Sequence, residues 1–283
     1  MWRTLRLEPR PGPAALAQDS TPRACPGAPH GRLFDSASGR RRFRPRDFLS
    51  KTCDALIPIG DENPTVLWPV ATLLIIAANV AVFVYQLSLV VVDPRLEQAL
   101  IYQLGLVPAA IRHGIIPGGG YATLVSSMFL HGGWMHIIGN MMYLWIFGNN
   151  VEDSMGHLRF FVFYLLTGAL AAGAHVLMQP SSTVPTIGAS GAVSGILGAY
   201  LILYPSARIK ALLPLGIFWT VVRLPAWFFL IFWIGWQILS QTLVPADPKA
   251  GGVAYAAHIG GFVAGLLLIS LFRKYRRRPY RLY

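Results

Sequence analysis

Cysteine is nearly absent from this sequence: Cys25 and Cys53 are the only two, and both precede the apolar body of the chain. Neither a disulfide framework nor a cysteine-built metal site is expected in that body. Charge is scarce too, at 13% of residues against 54% hydrophobic, a balance unsuited to an ordinary soluble domain. No Asp, Glu, Lys or Arg occurs in 63–92, 113–151, 160–207, 224–246 or 250–272. Because a spanning helix needs about 20 mostly apolar residues, these gaps make the bilayer the expected solvent. HExxH and other zinc-ligand spacings are missing, which argues against a metalloprotease, and nothing implies a metal or organic cofactor. The soluble hydrolase elbow G-x-S-x-G is missing as well, since Ala192 stands where its second glycine would be. No repeat suggests a solenoid or an inverted-repeat transporter.

What is present divides into six predicted spans at roughly 66–89, 134–150, 158–178, 188–204, 225–243 and 254–272. The expected fold class is an all-α polytopic membrane protein with a long first external loop, running from Asp93 to Gly120. The net charge of +12 could suggest nucleic acid, but the basic residues do not gather on one face. Eleven precede residue 66, and Arg273, Lys274, Arg276, Arg277, Arg278 and Arg281 follow the last span. The positive-inside rule then sets both termini in the cytoplasm, as an even number of spans requires. Three parts follow: a basic tail over 1–56, a membrane domain over 57–272 and a second basic tail over 273–283. The first tail is rich in Pro, Arg, Gly and Ala without apolar periodicity, so it is expected to be disordered near anionic lipid. An alternative has translation begin near Leu56. The low acid content and six-span layout suit a bacterial inner membrane.

This topology brings several polar groups to one depth. Spans two, four and six share a direction and carry their notable polar residues in their first turns. His136 and Asn140 lie four apart in "HGGWMHIIGNMMYLW", Ser190 opens span four in "TIGASGAVSG", and His258 lies near the outer end of span six. Polar residues inside a membrane are costly and normally face the protein interior. A serine hydroxyl needs a base within about 2.6 to 3.2 Å to become a nucleophile, so the helices of Ser190 and His258 must approach closely. Gly191, Gly195 and Gly198 on span four, with Gly261 and Gly265 on span six, supply small faces for that approach.

The segments "GASGAVSGILGAY", "AHIGGFVAG" and "HGGWMHIIGNMMYLWIFGNNVEDSMG" resemble the signature segments of the rhomboid family of intramembrane serine proteases. The resemblance implies a six-helix rhomboid-like bundle and a Ser-His dyad, with Ser190 as nucleophile and His258 as general base. It also implies an oxyanion site from His136, Asn140 and the Ser190 N–H, with Gly188 shaping the turn below the nucleophile, and a structural role for Glu152. The implied partners are transmembrane segments of other membrane proteins, cleaved near the external face, within a lipid bilayer and without nucleic acid. Span five and the loop "VPADPKAGG" would form the gate. Two departures stand out: Ser194 occupies a position where relatives often carry an aromatic ring against the histidine, and Ala122-Thr123 stands where a Trp-Arg pair often occurs. A non-catalytic rhomboid-like protein that binds transmembrane helices is the alternative, and a channel or transporter a third. His131 is expected to shape the loop before span two, His175 to be a packing residue, and His113 and His157 to lie in loops. Trp219, Trp227, Trp233 and Trp236 are expected to form an interfacial, lipid-facing belt.

Overall fold

A computed structural model of the chain describes residues 56–114, 120–215, 218–243 and 252–274. The tail over 1–55, the Gly-rich stretch 115–119, residues 216–217, the gate-loop residues 244–251 and the tail beyond 274 lie outside the described residues.

The predicted spans appear as α1 (Val70–Val92), α5 (Trp134–Met155), α6 (His157–Met178), α7 (Ser190–Leu203), α8 (Ala226–Leu243) and α9 (Tyr255–Phe272). Between the first two, the long loop folds into α2 (Pro94–Leu104), α3 (Pro108–Arg112) and α4 (Thr123–Ser126). Asp93 starts α2 by accepting a hydrogen bond from the Arg95 N–H at 2.9 Å, and Pro94 suits its first turn. Gly156, at φ +83°, ends α5 and lets α6 start one residue later. His157 is therefore the first residue of α6, which corrects its expected loop position.

Among the described residues, four helices, α1, α6, α8 and α9, are long and apolar enough to cross a membrane. Helix α7 differs: its 14 residues extend about 21 Å, well short of the roughly 30 Å of a bilayer's hydrocarbon. Gly191 through Tyr200 are all buried, and α5, α6, α8 and α9 pack around α7. Its neighbour α9 comes close enough that backbones touch. A Cβ placed on Gly261 would overlap the Gly191 carbonyl, one on Gly265 the Gly195 carbonyl, and one on Gly198 the Phe262 carbonyl. Only glycine permits that approach, which is how these apolar helices gain contact where lipid offers no hydrophobic driving force.

The all-α expectation holds for the membrane body, but a three-stranded antiparallel sheet lies outside it. It comprises β1 (Ile57–Asp61), β2 (Arg208–Leu215) and β3 (Phe218–Pro225), in the order β1-β2-β3. The connection between α7 and α8 is thus built from two paired strands. Ile209 pairs with Leu224 and Ala211 with Val222, so one face turns Ile209 and Ala211 fully into the core. Strand β1 straps the chain ahead of α1 across this end. Asp61 accepts from the Tyr200 hydroxyl at 2.6 Å and from Asn150 Nδ2 at 2.7 Å, while Asn63 donates to Asn150 Oδ1 at 2.6 Å. Burial lifts the Asp61 carboxyl above the usual carboxylate range, against the opposing pull of the Tyr200 hydrogen bond.

Glu152, fully buried, takes the expected structural role. Its carboxylate accepts from the Ala71 and Thr72 N–H groups at 2.8 Å each and from the Thr72 hydroxyl at 2.6 Å. Those two amides are among the orphan donors of the first turn of α1, so α5 caps α1 from outside it. His157 Nδ1 lies 2.5 Å from the same carboxylate.

Candidate active site

Ser190 is the first residue of α7, and the turn that delivers it is set by Gly188 at φ +122°, a backbone conformation that favours glycine. The Gly188 N–H is tied to the Ser127 carbonyl at 2.9 Å. As an N-terminal helical residue, Ser190 has a backbone N–H that no preceding helical turn satisfies. His136 and Asn140 close around this turn. A Cβ placed on Gly188 would lie 2.6 Å from His136 Nε2 and 3.6 Å from Asn140 Nδ2, so both side chains face the glycine two residues before Ser190.

The protonation of His136 follows from its neighbours. The Gly132 N–H donates to His136 Nδ1 at 3.3 Å, so Nδ1 accepts and, in the neutral ring, Nε2 carries the proton toward Gly188. Asn140 is buried, and its Nδ2 has no hydrogen-bond partner among the described residues. A buried amide left unpaired costs about 1–3 kcal/mol, so this donor is held ready at a price unless something binds there. Two donors, a histidine Nε2–H and an amide, therefore point at one spot beside the start of α7.

His258 sits in the first turn of α9. The residue before it, Ala257, is in reach of the residue after Ser190: a Cβ on Gly191 would lie 3.9 Å from both the Ala257 methyl and carbonyl. A small cavity of about 30 Å³ at this junction is lined by Ser190, Gly191, Gly188, Ala254 and Ala257, among others. Ser190 lines this cavity and His258 does not; what the α7–α9 seam brings together are the residues beside them, Gly191 and Ala257.

With Ser194 in place of an aromatic residue, the sequence left open what steadies the His258 ring. Ser194, in the position where relatives often place an aromatic ring, is buried, and its hydroxyl donates to the Ser190 carbonyl at 2.7 Å. It is engaged within its own helix. Contacts to the ring come from α8 and from α9 itself: Trp233 packs beside His258 with centroids 5.9 Å apart and planes tilted by 33°, Tyr255 meets it edge-on at 6.5 Å, and Gln237 Oε1 lies 2.7 Å from His258 Nδ1. A glutamine carbonyl oxygen can only accept, so His258 Nδ1 donates and, in the neutral ring, Nε2 is left with its lone pair. Trp233 is thus a packing partner of His258, which corrects its assignment to a lipid-facing belt. Trp219 and Trp227 remain largely exposed on the surface. Gln237 is not among the site residues expected from the sequence. The readable signal is an amide within an apolar span, four residues after a tryptophan and hence on the same face.

His131 and His175 fall near their expected places. His131 is buried before α5, its N–H donating to Gln86 Oε1 at 3.0 Å and its carbonyl accepting from Gln86 Nε2 at 3.2 Å. Its ring meets that of His136 edge-on at 5.1 Å, and burial, then the neighbouring His136, lowers it to about 4 and keeps it neutral. His175 is a packing residue whose Nε2 pairs with Thr186 Oγ1 at 2.9 Å. Among the described residues, no cluster of three or more His, Cys, Asp or Glu could hold a metal ion.

The family model of the rhomboid domain matches residues 118–275, more than half of the chain. The chain belongs to the rhomboid family. Similar proteins include the yeast Saccharomyces cerevisiae "Rhomboid protein 1, mitochondrial", 31% identical over 150 residues, which are 51% of this rhomboid and 40% of that protein. "Rhomboid-like protein 11, chloroplastic" of Arabidopsis thaliana is 27% identical over 163 residues, 53% of this chain and 52% of the relative. "Rhomboid protease GluP" of Bacillus subtilis is 35% identical over 107 residues, 38% of this chain and 20% of the relative. This rhomboid thus spans about half or less of the length of these curated relatives. It is an integral membrane protein, but relatives from a mitochondrion, a chloroplast and a bacterium do not single out the bacterial inner membrane expected from its sequence.

Proposed function

We propose that this rhomboid is an intramembrane serine endopeptidase that cleaves transmembrane segments of other membrane proteins near the external membrane face. Ser190 attacks the scissile carbonyl while His258 Nε2 takes the hydroxyl proton, then returns it to the leaving amine. The negative charge that develops on the carbonyl oxygen is met by His136 Nε2–H, Asn140 Nδ2 and the Ser190 N–H, with Gly188 shaping the turn that lets these donors converge. The observation that carries this reading is the buried Asn140 amide beside Gly188, a donor left unpaired among the described residues, as charge stabilisation requires. Two relatives, from Bacillus subtilis and Toxoplasma gondii, are named as proteases. Substrates would be single-span helices that unwind easily, because the scissile backbone must leave its own hydrogen bonds to reach Ser190.

The test is cleavage of a single-span substrate in liposomes by purified protein. Wild type is expected to cleave it, and Ser190→Ala and His258→Ala to lose cleavage while keeping thermal stability. Undiminished cleavage by Ser190→Ala would refute the nucleophile. Absence of cleavage by wild type across several substrates, with retained binding, would favour the helix-binding alternative.

A further inference from the structure

Helix α8 reaches His258 twice with side chains four residues apart, Trp233 beside the ring and Gln237 at Nδ1. Trp233 also lies 6.2 Å from Phe262, one turn further along α9, so this side chain packs against two successive turns of α9. Gln237 is buried, where an amide without a partner would be costly. Elsewhere α8 shows much of its surface to the outside: Trp227, Phe228, Ile231, Phe232, Ile238 and Leu239 are exposed. Its first residues are tied back to the chain before β2, with Ala226 N–H on the Ala207 carbonyl at 2.8 Å and Trp227 N–H on the Pro205 carbonyl at 2.9 Å. The helix is thus fastened at its start, and further along it meets α9 through the residues that touch His258.

We infer that Gln237 is a positioning residue for His258, holding the Nδ1–H tautomer, so that docking of α8 onto α9 and readiness of the base are a single event. An imidazole in the other tautomer presents an N–H to Ser190 and cannot take its proton. Trp233 restricts the ring's rotation, and Gln237 selects its tautomer. Movement of α8 away from α9 withdraws both at once, and their return restores the base. In this arrangement the helix that would flank an incoming substrate segment also governs whether the chemistry can start. The inference rests on the dyad assignment above.

The test uses full-length protein in liposomes. Gln237→Met keeps the length of the side chain and removes the acceptor, whereas Gln237→Glu keeps an acceptor. With a single-span substrate, Gln237→Met is expected to lower kcat by at least about 10-fold, and by less than the roughly 10⁴-fold that a wrong tautomer costs soluble Ser-His-Asp proteases, with KM little changed. Gln237→Glu is expected to recover most of that loss. Nitrogen NMR of labelled His258 in a Ser190→Ala background reads the tautomer without any turnover: Nδ1–H dominates while Gln237 is present, and the Nε2–H form gains in the Gln237→Met protein. An unchanged tautomer in Gln237→Met, or a kcat loss that only follows a fall in thermal stability, would overturn the inference. Because this measurement needs no cleavage, failure of the protease reading and failure of the Gln237 role remain distinguishable.

Discussion

Helix α5 carries two buried asparagines that should behave in opposite ways when truncated. Asn150 is fully engaged: its Nδ2 donates to Asp61 at 2.7 Å and its Oδ1 accepts from Asn63 at 2.6 Å. Asn140 has an Nδ2 with no partner among the described residues. Truncating Asn150 to alanine strands the groups that bonded to it, which costs about 1–3 kcal/mol of folding stability. Truncating Asn140 removes an amide that the resting fold has already left unpaired, so the stability change is expected to stay within about 1 kcal/mol. If that amide stabilises the oxyanion, its loss should instead cost about 2.7–4 kcal/mol in the transition state, a fall of roughly 10² to 10³ in kcat. The two variants therefore separate along independent axes, with Asn150→Ala losing thermal stability and Asn140→Ala losing turnover. Differential scanning fluorimetry in detergent reads the first, and initial rates of single-span substrate cleavage at saturation read the second. A melting temperature for Asn140→Ala as low as that of Asn150→Ala, or cleavage at the wild-type rate, would refute the reasoning.

The seam between α7 and α9 makes a second prediction. Gly261→Ala puts a methyl into the Gly191 carbonyl and should cost at least the roughly 1–3 kcal/mol typical of overpacking, whereas Gly139→Ala meets nothing within 4 Å and should be neutral or slightly stabilising. Equal melting temperatures for the two would show that the seam is not tightly packed. Asp61 supplies a pH prediction. Its folded pKa is raised above 3.8, chiefly by burial, so its contribution to stability is complete below the unfolded value and is lost as pH rises through the folded one. Asp61→Asn should flatten that dependence, and thermal melts from about pH 4 to 7 that stay parallel to wild type would contradict it.

Much of the architecture was legible because the bilayer imposes a coarse constraint. Charges are costly in hydrocarbon, so the gaps between Asp, Glu, Lys and Arg located the apolar segments, and the spans divided out of them fall within about five residues of the observed helix ends. The glycines at 191, 195, 198, 261 and 265 announced a close helix pair, and alternation of direction brought Ser190, His258, His136 and Asn140 to one end. The sheet was not legible: β1 finds its partner about 150 residues later in the chain, and no local pattern encodes that pairing. Nor was the support of His258. Helix α8 is apolar nearly all round, so its sequence does not say which face turns inward. The sequence alone determined which residue types occur at which depth, because burial of charge in hydrocarbon is too costly to permit otherwise. Only the tertiary structure decided that Trp233 and Gln237 meet the histidine and that Ser194 bonds within its own helix, because rotation of a helix about its axis is set by the side chains packed against it.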